Sequence, residues 1–232
     1  MSAARYDWAA IHRALDGDGF ARLPRLLGAR ECAALAALYG DDARFRSTVD
    51  MARHGFGRGQ YRYFAAPLPP LVARLRARLY APLSAIARAW AARLGGDPAA
   101  YPPTLAGFLA RCDAAGQRRP TPLLLRYGRG DWNALHQDTY GAIAFPLQVL
   151  VVLSRPGRDY RGGEVVLVEQ RPRAQSRATA LALAQGEGLI FTNRERPVRG
   201  ARGDYRVAMR HGVSTLAAGE RLALGLIFHD AE

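Results

Sequence analysis

The chain has 232 residues, 49% of them apolar, with 33 basic residues against 20 acidic ones and a net charge of +13. That is enough to bury a large core, and no apolar run approaches the length of a membrane span, so a transmembrane helix is not expected. The charge favours an anionic partner such as nucleic acid, an acidic protein or a phosphorylated metabolite.

All 33 basic residues are arginine, which reads as a composition bias. Met1 to Trp8 lack the apolar centre of a signal peptide, so a cytoplasmic location with no membrane contact is expected. Asp7 to Asp16 reads as a short amphipathic helix, with Trp8, Ile11 and Leu15 on one side. Phe20 to Leu23 is a short strand, and Gly28 to Tyr39 a second helix. Cys32 and Cys112 lack metal-site spacing and are expected to be reduced and half-buried.

Residues 45–65 alternate glycine with arginine and aromatics, which fits a hairpin or a mobile loop. Arg53, Arg58 and Arg62 there offer charge for phosphates, and Phe56, Tyr61 and Tyr63 offer flat faces for bases. An aromatic hairpin with a solvated arginine side is the alternative. Leu71 to Leu94 reads as a long helix bent at Pro82, and Thr104 to Ala114 as a helix capped by Thr104.

From Pro122 the texture becomes β. Strands are predicted at Leu123–Tyr127, Phe145–Leu153, Gly163–Glu169, Ala178–Ala182, Gly188–Thr192, Tyr205–Gly212 and Arg221–Phe228. Seven or eight short strands with regular turns predict a sandwich or barrel. The expected class is mainly β with N-terminal helices (α+β). Residues 1–119 form a largely helical support and residues 120–232 a jelly-roll core, in a single domain.

His136 and Asp138 form a His-x-Asp pair, and two-apart residues on a strand share a face. His211 lies 73 positions on, in a strand-like setting. Two imidazoles and one carboxylate on a β scaffold suit a metal that keeps open positions, above all non-haem Fe(II). Zinc on a cupin-like barrel, or core histidines without a metal, are the alternatives. Arg221, ten residues after His211, can grip a carboxylate with a two-pronged pair, and the Tyr127 hydroxyl can reach the same anion. His229 is expected to be structural. Clusters at Arg171, Arg173 and Arg177 and at Arg194 to Arg210 either line a phosphate groove or form a solvated face.

Tyr-x-x-Gly, His-x-Asp, Gly162-Gly163-Glu164, His211-Gly212-Val213 and Gly-x-Arg together resemble the 2-oxoglutarate/Fe(II)-dependent dioxygenase superfamily, a double-stranded β-helix fold. A closer likeness runs through Phe45–Thr48, Met51–Gly59, Arg119–Tyr127, Glu169–Arg173 and Ile227–Asp230. It resembles a bacterial group of nucleic-acid oxygenases proposed to act on alkylated DNA. The resemblance implies Fe(II) ligands His136, Asp138 and His211, with 2-oxoglutarate and dioxygen as cosubstrates. It also implies Arg221 on the distal carboxylate of 2-oxoglutarate, helped by Tyr127, and an alkylated, single-stranded nucleic acid as partner. Two features depart from AlkB-type demethylases. Tyr140 stands where those carry an acid, and would stack on a base or close the pocket. The tail from Leu222 lacks a second arginine. Hydroxylation of a protein side chain or small metabolite is the second reading, and a basic jelly-roll binding module with a structural or absent metal the third.

Overall fold

The computed structural model describes residues 6–138 and 141–232. Four helices come first: α1 (Trp8–Asp18), α2 (Ala29–Ala37), α3 (Pro70–Arg93) and α4 (Leu105–Ala114). Side chains start two of them as the sequence requires. Asp7 accepts from the Ala10 amide, and Thr104 from the Gly107 amide, satisfying amides that have no partner inside the helix. Pro70 opens α3, where a missing N–H costs nothing, and α3 stays helical through Pro82. No helix among the described residues is long and apolar enough to cross a membrane.

The strands are β1 (Phe20–Leu23), β2 (Phe45–Asp50), β3 (Gly57–Arg58), β4 (Gln60–Phe64), β5 (Leu123–Tyr127), β6 (Trp132–His136), β7 (Leu147–Val152), β8 (Tyr160–Gly162), β9 (Val165–Gln170), β10 (Arg177–Leu181), β11 (Gly188–Thr192), β12 (Glu195–Gly200), β13 (Gly203–Val213), β14 (Leu216–Gly219) and β15 (Arg221–Leu226). One sheet runs β1-β11-β7-β15-β5-β4-β2. The other runs β10-β9-β13-β6-β3, with β12 on the first half of β13, and β14 pairs with β8. The two sheets form the jelly roll.

The strand period of two divides the large sheet into a helix-facing and a sandwich-facing side. Leu124, Val149, Val151, Ile190 and Leu224 pack on the helices, with Leu75, Leu79 and Leu83 of α3 in the same core. Their neighbours Leu150, Val152, Leu189, Phe191 and Ala223 face the second sheet. Burial on both faces explains why β7 and β11 read as continuous apolar runs.

Three expectations need correction. All four helices precede residue 119, but so do β1 to β4, and three of these extend the large sheet. Residues 1–119 therefore supply sheet as well as helical support. Of the two alternatives for residues 45–65 the chain takes the hairpin, with β2 and β4 paired and β3 on their connection. Both cysteines are fully buried rather than half-buried, and burial pushes the Cys32 thiol up to about 11. Within the arginine cluster, Arg196 is fully buried against Glu169, so it neither lines a groove nor belongs to a solvated face, while Arg206 is exposed and pairs with Glu195.

Candidate active site

β6 and β13 lie side by side, and His136 and His211 are register partners. Their rings sit 4.1 Å apart between centroids. Two features of the chain make that closeness feasible. Gly212 presses against β6, and a Cβ there would fall 2.6 Å from the Asn133 carbonyl oxygen. A β-bulge also follows, with three steps on β6 (Asn133 to His136) set against two on β13 (Val213 to His211). Bulges re-aim side chains, and here both Asn133 and His136 line one cavity.

The strand ends at His136, so Asp138 lies just beyond it rather than on it. Its carboxylate nevertheless returns to both rings, with Oδ1 3.6 Å from His136 Nε2 and Oδ2 3.2 Å from His211 Nε2. One donor atom from each of the three lies within 4.8 Å of the others. Metal bonds of about 2.0–2.2 Å to nitrogen and oxygen set neighbouring ligands about 3 Å apart. The set therefore fits a metal with little adjustment. Two nitrogens and one oxygen on one side of an ion leave positions open for other ligands.

The Ala134 carbonyl lies 2.7 Å from His136 Nδ1 and fixes the proton there, turning the Nε2 lone pair to the ligand position. Burial, and then His211, push the His136 pKa down against the pull of Asp138, which keeps the ring neutral as a ligand must be. Gln148 and Asn193 are buried behind the carboxylate. Gln148 Nε2 donates to Asp138 Oδ2 and to Asn193 Oδ1, both at 2.9 Å. Sequence reading missed both residues, because Gln148 sits within an apolar strand and Asn193 at a strand end. The signal available was one polar side chain in an otherwise apolar run.

The cavity encloses about 360 Å³. Arg221 opens β15 directly opposite Tyr127 of β5. It is 1% exposed, and Nε and Nη1 have no hydrogen-bond partner among the described residues. The Tyr127 ring lies 5.7 Å from its Cζ. A buried guanidinium with unused N–H groups on a cavity wall fits a carboxylate ligand. Gly163, at φ +67°, leaves room for this side chain, since a Cβ there would lie 3.2 Å from Arg221 Cδ. Burial pushes the Tyr127 hydroxyl up to about 12, and it accepts from Asn133 Nδ2 at 3.3 Å. Asn133 is a second cavity residue that sequence reading missed.

The remaining expected contacts divide. Tyr61 and Tyr63 line the cavity wall. Arg62 alternates with them on β4 and points the other way. It is buried between the Phe45 and Tyr39 rings and donates to Thr48 Oγ1 and the Tyr39 carbonyl. Its expected phosphate role is corrected: its guanidinium holds the hairpin instead. Arg53 and Arg58 are exposed, and the Arg53 side chain is 82% exposed. Phe56 and Leu135 line the same cavity and are exposed, and His54 stacks on Phe56. Arg58 pairs in register with Trp132, the third exposed large apolar residue. Tyr140 lies outside the described residues. His229 is buried and accepts from the Phe145 amide at 3.2 Å. Burial depresses its pKa to about 4, which agrees with a structural role.

Comparison with known proteins places this geometry in context. A family described as an oxygenase catalysing oxidative methylation of damaged DNA matches residues 59–231. The uncharacterized protein Rv2227 of Mycobacterium tuberculosis (strain ATCC 25618 / H37Rv) is 57% identical over 168 residues, 72% of each chain. Two solved structures share the fold. A Pseudomonas putida prolyl-4-hydroxylase has a TM-score of 0.56 at 15% identity, covering 97% of this chain and 100% of its own. An oxidoreductase of the 2OG-Fe(II) oxygenase family from Burkholderia pseudomallei has a TM-score of 0.57 at 17% identity, covering 98% and 93%. With the match spanning most of the chain, including both histidines, Asp138 and Arg221, this protein belongs to the family of oxygenases described as acting on damaged DNA.

Proposed function

We propose that this oxygenase uses Fe(II), 2-oxoglutarate and dioxygen to oxidise an N-methyl group on single-stranded nucleic acid. The observation that carries this reading is the convergence of His136, Asp138 and His211 in a cavity whose wall holds the unsatisfied Arg221. When bound, the iron and its cosubstrates supply oxidation of a substrate C–H bond, with 2-oxoglutarate leaving as succinate and carbon dioxide. Oxidation of an N-methyl carbon gives a hydroxymethyl group that departs as formaldehyde and restores the base.

The chain's own residues bind and orient. His136, Asp138 and His211 hold the metal. Arg221 takes the distal carboxylate of 2-oxoglutarate by charge-assisted bonds, with the Tyr127 hydroxyl beside it. Tyr61, Tyr63 and Leu125 keep the interior apolar, which excludes water and strengthens these contacts. At the mouth, the His54–Phe56 stack and Leu135 offer flat apolar surface for unstacked bases, and Arg53 and Arg58 offer charge for the backbone. Bases in a duplex cannot reach such a surface, which favours a single strand.

The test is formaldehyde release from an N-methylated single-stranded oligonucleotide, against the unmethylated strand. Release only from the methylated strand is expected, and release from neither would refute the substrate. Binding measured across salt adds a second check. A single strand loses affinity with a slope of about 0.7 per neutralised phosphate. Arg53→Ala with Arg58→Ala should therefore lower the slope by about 1.4. An unchanged slope would remove this lip from the account.

A further inference from the structure

We infer that Gln148 and Asn193 form an orientation relay that fixes which oxygen of Asp138 is turned toward the metal, making both positioning residues. The inference rests on the ligand assignment proposed above.

β7 reads Leu-Gln-Val-Leu-Val-Val, and Gln148 is its one polar side chain. It is 5% exposed, and Asn193 2%. A buried amide without partners is costly, and the partners of this one, Asp138, Asn193 and His211, all lie at the site. Amide orientation follows from the hydrogen-bond network, and here the network has a fixed end. The Phe145 carbonyl has no hydrogen to give, so Asn193 turns Nδ2 toward it, at 3.3 Å. That leaves Asn193 Oδ1 facing Gln148, which must present Nε2, at 2.9 Å. The second hydrogen of the same nitrogen goes to Asp138 Oδ2, at 2.9 Å. A reversed Gln148 would set its oxygen against two other oxygens.

Both hydrogens of Nε2 are then committed. The third neighbour, His211 Nε2 at 3.2 Å, faces no competing donor from Gln148. The bond from Gln148 holds Asp138 Oδ2 on the His211 side, 3.2 Å from Nε2, and so turns Oδ1 to the His136 side, 3.6 Å from Nε2. The carboxylate is thus held to present one oxygen rather than two. That choice matters chemically, because a second bound oxygen would occupy a position the cosubstrates need. The relay is anchored at both ends. The Phe145 amide donates to His229 Nδ1. Phe191, the register partner of Gln148, packs its ring against His211 at 4.8 Å.

The test uses Co(II) as the metal probe, read by affinity and by its visible ligand-field spectrum. Gln148→Met keeps length and volume and removes the N–H groups. It should weaken Co(II) binding about 10–100-fold and shift the spectrum, while the metal-free protein keeps its circular dichroism and cooperative unfolding. Asn193→Ala should weaken binding less. The double variant should match Gln148→Met alone, because residues acting through one chain are non-additive. If Gln148→Met does not fold, weaker binding and a shifted spectrum in Asn193→Ala carry the test. Unchanged affinity and spectrum in the folded variants would overturn the relay alone. Failure of the wild type to bind Co(II), or undiminished binding by Asp138→Ala, would overturn the ligand assignment and the relay with it.

Discussion

Arg221→Met should make the ligand-free protein more stable while abolishing its response to 2-oxoglutarate. The substitution keeps a stem of similar length and removes a guanidinium that is 1% exposed and whose Nε and Nη1 have no partner among the described residues. An unpaired ion in a protein interior costs several kcal/mol even after relaxation. Against that stands the Tyr127 ring at 5.7 Å, worth about 0.5–2 kcal/mol. The difference leaves a gain of about 1–3 kcal/mol on removing the charge. At about 2–4 °C per kcal/mol for a chain of this length, the variant should melt on the order of 2–12 °C higher. With 2-oxoglutarate at about 100 times its Kd, the wild type should gain about 2.7 kcal/mol. The variant should gain almost nothing, because truncating one side of a buried charge pair costs about 2–5 kcal/mol of binding. Thermal melts of Co(II)-loaded protein with and without 2-oxoglutarate report both effects. A ligand-free variant melting several degrees below wild type, or equal shifts by 2-oxoglutarate, would refute the reasoning.

Gly212→Ala should separate β6 from β13, because its Cβ would meet the backbone oxygen of Asn133 at 2.6 Å. Metal affinity measured by Co(II) titration should fall, and wild-type affinity would show that the close approach is dispensable. Glu169 gives a pH prediction. Burial alone would push its carboxyl up, but Arg171 and Arg196 hold it below the usual carboxylate range. Its folded pKa is therefore the lower one, so its stabilisation is complete above the unfolded value. It is lost as pH falls through the depressed folded value. Urea midpoints should thus decline on acidification. Glu169→Gln should flatten that decline and destabilise the neutral protein by about 3–5 kcal/mol, since Arg196 is left buried without its partner. An unchanged midpoint at neutral pH would refute the pairing.

The sequence was most informative where one period dominated. Leu123–Tyr127 and Gly188–Thr192 are strands at their expected limits, because both are short apolar runs bounded by turn residues. The juxtaposition of His136 with His211 was legible from two short motifs. Other features depended on three dimensions. β6 lacks β-branched residues, and β12 carries Pro197 and two arginines, so local propensity argued against both strands and pairing with β13 decided them. Arg62 looked like its exposed neighbours Arg53 and Arg58. Its place on a strand between two cavity-facing tyrosines turns it inward, which only the hairpin register reveals. Gln148 gave no sign beyond being polar in an apolar run, and its meaning came from a carboxylate ten residues away that the fold brings to 2.9 Å.

The most direct test of the central claim is succinate formation from 2-oxoglutarate by anaerobically iron-loaded protein on exposure to air. Wild type would be run beside His136→Ala and Arg221→Ala, each with and without a methylated single-stranded oligonucleotide. The account predicts iron-dependent succinate from the wild type, raised by the oligonucleotide, and loss of that succinate in both variants. No succinate from folded, iron-loaded wild type, or undiminished succinate from either variant, would contradict it.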